Sequence, residues 1–438
     1  MANTYISRTQ ANGTSAKKFT ASIWFKRSPV TNVGNQPIWS SSSSTGDALD
    51  LLLAGNGEIN FEDVNGNAPK FVTTRKLRDP SAWYHVVVAV DSTQATDTNR
   101  VKIYLNGVQE TVFGTANYPT QNMDFAISTS ADTMKFGSGG QSPSNYFNGV
   151  MSHVNFTDGY VYQASEFGET DSTTGEWKIK TSPSVTYGIN GCFILKDGNS
   201  VTDQSGNSNN FTVGGGTLTN TEDCPSNVFA TFNPLDTFYT TPTFTNGNTT
   251  LELNPSGSKD TYVPTTLGMS SGKYYTEAKF ISGVTYTYLG IVDKPATASK
   301  IIGDFTNSVR LRGDDGTTRI NNVASTTLTS FTTNDIIGIA VDLTNLKIYY
   351  SKNGVWMNSA NPSSGTGGLT ITAPDGAYFF AWQCNSGSSV CKYSWNFGNG
   401  TFGTTAIASA GTNASNNGVF EYDVPTGYTA LSTKGLNA

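Results

Sequence analysis

The sequence predicts an all-β protein made of two tandem antiparallel β-sandwiches of the jelly-roll kind, followed by a short C-terminal tail. Three observations carry this expectation. The first is a hairpin that the chain spells twice. Val88 to Asp91 leads, after a polar excursion, to Lys102, Ile103, Tyr104 and then Asn106-Gly107; Ile339 to Asp342 leads to Lys347, Ile348, Tyr349 and then Asn353-Gly354. Asn and Gly tolerate the positive φ of a type I′ turn, whose twist matches the strands it joins, so Asn-Gly between such runs marks a hairpin. The second is the recurrence of short apolar or alternating runs with turn residues between them, as all-β folds require. The third is that no long amphipathic helical stretch interrupts them.

In the first half the expected strands are Phe19 to Lys26, Ala48 to Leu53, Glu58 to Phe61, Trp83 to Val90, Val101 to Leu105, Met134 to Phe136, Gly149 to Thr157 and Cys192 to Leu195. Phe19, Ala21, Ile23 and Phe25 alternate onto one face. The run from His85 to Val90 is apolar at nearly every position, which predicts a central strand covered on both sides. A short helical turn is expected around Tyr160 to Phe167. From about Gly214 to Thr243 the composition turns to Gly, Thr, Asn and Pro, with Pro225, Pro234 and Pro242 breaking strands, so this stretch reads as a linker. Strands resume at Thr249 and continue through Lys273 to Ile281, Thr287 to Val292, Ser308 to Leu311, Asp335 to Val341, Leu346 to Ser351, Ala377 to Gln383 and Val390 to Phe397. The expected domains are therefore 1–213 and 244–398, with the linker 214–243 between them and a docking tail at 399–438.

A length of 438 residues suits two or three domains, each able to bury a core. Charged residues are only 14%, against roughly 25% in ordinary soluble chains, and Ser, Thr, Asn and 45 Gly take their place. Aromatics at 12% and clear alternation mark a folding chain. The net charge of −6 is mild and unclustered, so there is no basic footprint for phosphate backbones and nucleic acid is not expected as a partner. The N-terminus lacks a basic flank and an apolar h-region, and no run approaches the ~20 apolar residues that span a bilayer; synthesis as a soluble chain in the cytoplasm, without membrane insertion, follows.

The four cysteines, Cys192, Cys224, Cys384 and Cys391, match no zinc or redox spacing. Cys384 and Cys391 bracket a turn and read either as a disulfide or as two idle thiols. No nucleophile elbow, Walker loop or H-E-x-x-H is present, so nucleophilic, phosphoryl-transfer and zincin chemistry lack their parts. Of the two histidines, His85 sits inside an apolar strand and reads as a packed structural residue. A glycosidase would need paired carboxylates about 5 Å apart, or about 6.5–9.5 Å for inversion. Glu58 with Glu62 or Asp63 is the nearest local pair, but positions four apart on a strand lie roughly 13 Å apart. No cofactor is called for. Calcium is the one ion to weigh: Asp197 and Asp203, and Asp314 and Asp315, supply hard oxygens in loops, although turn formation explains them equally well. Arg312-Gly313-Asp314 and the N-x-S/T triplets follow from composition. Among the aromatics, Tyr286, Tyr288 and Trp356 are candidates for stacking on a ligand. Phe420, Tyr422 and Tyr428 in the tail are candidates for assembly contacts.

Certain blocks carry a family resemblance. WYHVVVAVD with VKIYLNGV resembles the Trp-x-His-Val strand and hairpin of laminin-G-like, concanavalin A-like lectin domains, and Asp203 to Asn207 is similar to the D-x-S-G-N motif of that family. In the second half, GKYYTEAKF, LGIVD, DIIGIAVDL, KIYYSKNGVW and YFFAW together resemble a SPRY domain. DCPSNVFATFNPL at 223–235 and FEYDVPTGYTAL at 420–431 resemble segments of tailed-bacteriophage structural proteins that pair these modules. The E-x-D-x-x-E strand of concanavalin A-like hydrolases is missing. The resemblance implies a concanavalin A-like sandwich followed by a SPRY-like one in a non-enzymatic virion protein on the tail or capsid surface. As a tail-fibre or adhesin component it would bind host-surface glycan or protein and contact other virion proteins. Capsid decoration or head-fibre duty, and a polysaccharide-degrading enzyme, are the alternatives. The first lectin-like strand begins almost at Met1, so no separate N-terminal anchor is expected, and a homo-oligomer, a trimer by analogy with tail appendages, is.

Overall fold

The computed structural model describes residues 3–28, 34–43, 48–63, 69–140, 145–196, 201–237, 241–254, 261–283, 285–294, 300–384 and 390–437. The chain forms two units, Met1–Leu218 and Thr219–Ala438. Both are built almost wholly from antiparallel strands. The longest described α-helix is the four-residue Thr433–Leu436, and no helix among the described residues is long and apolar enough to cross a membrane.

In the first unit an eight-stranded sheet runs in the order Phe113–Asn117, Lys70–Thr73, Ile59–Asp63, Ala48–Leu53, Gln36–Ser42, Thr133–Phe136, Tyr5–Thr9 and Thr212–Gly215. A six-stranded sheet runs Cys192–Ile194, Gly149–Asp158, Lys18–Arg27, Tyr84–Asp91, Val101–Leu105 and Val108–Gln109. Alternation decides what lies between them: Phe19, Ala21, Ile23 and Phe25 meet Leu49, Leu51, Leu53, Phe61 and Met134 in one buried cluster. Tyr84–Asp91 is indeed covered on both faces. Val86, Val88 and Val90 join that core, while Val87 and Ala89 pack outward under Ala164, Phe167 and Trp177 from the segment that follows the last long strand. The expected helical turn is the 3-10 turn Ala164–Glu166 on this segment.

His85 faces the same outer layer. Its ring stacks on Trp24 with centroids 4.5 Å apart and lies parallel to Trp177 at 6.1 Å. The Trp177 indole N–H, which can only donate, reaches His85 Nδ1 at 3.0 Å; Nε2 therefore carries the proton and donates to Ser22 Oγ at 2.8 Å. An imidazolium would point a second N–H at the indole. Burial pushes the His85 pKa down to about 3 and keeps the ring neutral, as the structural reading of this residue requires.

In the second unit the larger sheet runs Thr243–Thr245, Thr250–Leu253, Cys391–Asn396, Lys273–Ser282, Ile336–Asp342, Lys347–Lys352 and Val355–Trp356. Leu369–Thr370 adds to Lys347–Lys352, and Thr429–Ala430 adds in parallel to Lys273–Ser282. The smaller sheet runs Thr261–Pro264, Phe379–Cys384, Thr287–Val292, Ser308–Arg312, Thr318–Ile320 and Val323–Ala324. Tyr274, Ala278, Phe280, Leu289, Ile291, Ile339, Phe380 and Trp382 face one another between the two sheets. All four cysteines are free thiols, and Cys384 and Cys391 are buried in this core on strands of different sheets.

Two segments read from sequence as linker and tail belong to these units. Thr212–Gly215 pairs with Tyr5–Thr9 and so closes the first sheet. Residues from 219 onward pack into the second unit, where Phe229, Ala230 and Phe232 are buried. Prolines stop this stretch from forming long strands but not from burying Phe229 and Phe232, each of which stabilises by about 1.5–3 kcal/mol. The tail returns to the same place: Ala230 N–H donates to Leu431 O at 2.9 Å, and Phe229 bridges to Ser432.

The tail also crosses the outer face of the larger sheet as a strap. Phe420, Val424, Tyr428 and Ala430 cover Tyr275, Ala340 and Tyr349, with Phe420 edge-on to Tyr275 at 5.0 Å. Glu277, fully buried beneath it, accepts the N–H of Glu421 at 2.9 Å and of Tyr422 at 2.8 Å, the Tyr275 hydroxyl at 3.1 Å and Asn396 Nδ2 at 3.2 Å. Burial pushes this carboxyl up to about 7, and the four donors oppose that shift.

Candidate ligand-binding site

Thr287–Val292 and Ser308–Arg312 lie side by side with Tyr288 opposite Arg312 and Gly290 opposite Arg310. Leu289, Ile291, Val309 and Leu311 point into the core, so period-two alternation sends Tyr288, Arg310 and Arg312 to the outer face. There the guanidinium groups lie over tyrosine rings on diagonal neighbours. Arg310 sits 4.6 Å from the Tyr288 centroid and Arg312 sits 4.4 Å from that of Tyr286. Diagonal positions on paired strands are within reach of long side chains, and cation–π attraction favours the overlap.

Arg312 is fixed by its own turn. Its Nε and Nη2 donate to the two Asp314 carboxylate oxygens, each at 2.6 Å, and Asp315 Oδ2 lies 3.3 Å from Nη1. The Asp314 hydrogen bonds raise the arginine pKa further above its usual value. At Asp315 burial works toward a raised pKa, but the Thr317 N–H and hydroxyl and the Arg312 charge outweigh it and hold the carboxyl below its usual range. Tyr288 is buried, whereas Tyr286 is 47% exposed and adopts a left-handed backbone at φ 55°. An L-residue other than Asn or Gly is disfavoured there by roughly 1–2 kcal/mol. The strained residue is thus the one that presents its ring to solvent.

The expected site residues are distributed as follows. Tyr286, Tyr288, Asp314 and Asp315 come together around Arg312, a convergence their separation in sequence does not reveal. The same geometry uses up Asp314 and Asp315 as arginine partner and turn cap, which leaves a cation beside Arg312 poorly served. Arg312 and Asp314, the ends of the Arg-Gly-Asp tripeptide, bind each other. Asp203 accepts Phe193 N at 2.8 Å, Ser205 N at 2.9 Å, Ser205 Oγ at 2.7 Å and Asn209 N at 2.9 Å, so its carboxylate is taken up by the turn it builds. Asp197 lies outside the described residues. Among the described residues no cluster of three or more His, Cys, Asp or Glu side chains is arranged to hold a metal. Trp356 packs against Tyr275 and Tyr349 beside the strap, with centroids at 6.2 and 6.5 Å. Phe420 and Tyr428 are buried in their own unit, and Tyr422 crowds Gly354, where an added Cβ would meet its ring at 2.6 Å. Phe420 and Tyr428 are thus spent on their own unit, while Tyr422 stays half-buried.

Sequence reasoning missed one pair of acids. On the outer face of the first unit's larger sheet, Asp50 stands directly opposite Glu62 on the neighbouring strand. Burial first, and the Glu62 charge second, push Asp50 up to about 6. Glu58, weighed as the local partner of Glu62, instead pairs with Lys76 at 3.6 Å. Glu62 is paired with Lys70 at 3.2 Å. Asp50 is buried with Gly140 packed against it, and the Gly140 carbonyl accepts hydrogen bonds from the Ser42 hydroxyl and the Lys135 ammonium.

No curated protein matches the chain. The SPRY domain of human HERC1 is 19% identical with a TM-score of 0.31, covering 37% of this chain and 96% of that one. A further human SPRY domain is 20% identical with a TM-score of 0.28, covering 34% and 90%. The native heptameric SAP-like pentraxin from Limulus polyphemus is 14% identical with a TM-score of 0.32, covering 49% and 90%. Residues 1–165 match the family described as the concanavalin A-like lectin/glucanases superfamily, and the first unit is accordingly similar to concanavalin A-like domains.

Proposed function

We propose that the chain is a non-enzymatic structural protein of a tailed-phage virion, exposed on the particle and acting as a tail-fibre or adhesin component that binds host-surface glycan or protein. The observation that carries this reading is the Tyr286 corner: an exposed aromatic ring held at the end of a sheet strand by Arg312. Rigid sheets presenting side chains at their ends suit recognition, because little freedom is lost on binding. The resemblance of 223–235 and 420–431 to phage structural segments supports the virion setting, and so does the packing of these two segments against each other at Ala230 and Leu431. Partners would be other virion proteins and copies of this chain, three by analogy.

Locating the chain in purified particles by gold-labelled antibody tests the reading. Label on the tail is expected. Label confined to the capsid would make the protein a decoration or head fibre, and absence from particles would end the proposal.

A second reading, polysaccharide hydrolysis, has one specific observation behind it: Asp50 near pH 6 beside Glu62 resembles an acid next to a carboxylate base. Against it, Asp50 is buried against Gly140 and Glu62 is engaged by Lys70. Reducing ends released from polysaccharide by wild type and not by Glu62→Gln would favour hydrolysis.

A further inference from the structure

We infer that the Tyr286 corner of the second unit is a stacking platform for the apolar face of a neutral hexopyranose. The inference rests on the adhesin reading above and names the ligand class of that site. A pyranose ring offers a face of C–H groups rimmed by hydroxyls, and recognition calls for a flat apolar surface with polar groups at its border. Tyr286 supplies the flat surface at 47% exposure, and Arg312, 4.4 Å from its centroid, is the one cation or aromatic paired with the ring among the described residues. Arg312 is itself fastened by two 2.6 Å hydrogen bonds to Asp314. The ring is therefore held before a ligand arrives, which lowers the ordering cost of binding. Backbone strain at an exposed aromatic, φ 55° at Tyr286, is the kind of feature that persists where function requires it.

Charge sets the class of sugar. One arginine faces two aspartates at the corner, and its guanidinium is spent on both. Arg310, the neighbouring guanidinium on this face, pairs with Asp304 at 3.4 Å, so among the described residues both arginines of the corner already have carboxylate partners and neither is kept for a carboxylate or sulfate on a ligand. Asp315 already accepts from Thr317 and lies 3.3 Å from Arg312 Nη1, but its side chain is 40% exposed, so negative carboxylate oxygens face solvent beside Arg312. These favour the hydroxyl donors of a neutral sugar and repel an anionic one.

The test is titration calorimetry of the full chain with hexasaccharides of glucose, galactose and N-acetylglucosamine, with hexagalacturonate as the acidic probe. At least one neutral hexasaccharide is expected to bind and hexagalacturonate is not. Tyr286→Asn removes the ring while keeping a residue at home in the left-handed region, and should weaken binding at least about fivefold. Arg312→Lys, which loses the fork that holds the ring, should weaken it by a smaller factor. Unchanged affinity in both variants, with the wild-type melting temperature, would move the site elsewhere and leave the adhesin reading standing. Tighter binding of hexagalacturonate than of any neutral sugar would overturn the ligand class. No binding of any probe by wild type would overturn the site, whereas failure of the virion reading shows separately, as absence of the chain from particles.

Discussion

Asn106 Oδ1 accepts the backbone N–H of His85 at 2.8 Å while the Asn106 N–H donates back to His85 O at 2.9 Å. Asn353 repeats both bonds with Ile336, each at 2.8 Å. The Asn of each Asn-Gly turn therefore does more than tolerate φ 47° and 49°. It also satisfies an amide at the start of the partner strand, His85 in one case and Ile336 in the other. Replacing Asn106 or Asn353 by Gly keeps the conformation and loses the acceptor, which should cost about 1–3 kcal/mol. Replacement by Ala loses both and should cost more, while Asp should come closest to wild type. Denaturant midpoints of the six variants check this order; equal losses for Gly and Ala would refute the role given to the conformation.

His85 makes stability depend on pH in a definite direction. Its folded pKa of about 3 lies below the unfolded value of 6.5. Between these the unfolded chain binds the extra proton, so the contribution is complete above pH 6.5 and falls as the pH drops toward 3, by about 1.4 kcal/mol per pH unit inside the window. His85→Gln should remove that slope. Unfolding free energies of both proteins from pH 7 to 4 give the difference, in which other titrating groups cancel; identical slopes would show that His85 is protonated in the fold.

The strap over the second unit hangs on Glu277. Glu277→Ala leaves two amides of the strap, a tyrosine hydroxyl and Asn396 without their acceptor, a change expected to cost about 3–5 kcal/mol. Hydrogen exchange at Glu421 and Tyr422 should then quicken more than at Ile339, which lies in the core. Deleting 418–438 should destabilise the second unit rather than merely weaken assembly, because Tyr275, Tyr349 and Phe229 lose their cover.

The effect of the Glu62 charge on Asp50 can be read directly. In Glu62→Gln the Asp50 midpoint should fall from about 6 yet stay above 3.8, since burial is the larger cause of its shift and remains. Carboxyl carbon shifts followed by NMR against pH measure it. An unmoved midpoint would show that the two acids do not sense each other.

Strands with apolar alternation were legible in the sequence almost to the residue. Ala48–Leu53, Val101–Leu105 and Thr287–Val292 fall where periodicity puts them. Gln36–Ser42, Phe113–Asn117 and Thr212–Gly215 do not announce themselves, because Ser, Thr, Gly and Asn carry no hydrophobic rhythm, whether buried as in Gln36–Ser42 or exposed as in Thr212–Gly215. The meeting of Asp50 with Glu62, and of Tyr286 with Arg312, depends on which strands pair and in what register, and pairing is not written in either segment alone. Phe420 and Tyr428 were visible as aromatics in a polar tail, but nothing local distinguishes a side chain kept for a partner from one that folds back onto its own unit.

The bond between Ala230 and Leu431 joins a segment near the start of the second unit to one near its C-terminal side. A module whose end segments lie side by side can be spliced into a surface turn of a host protein, or have its ends joined and be reopened at another turn, without redrawing its sheets. The second unit is therefore suited to transplantation as a self-closed insert.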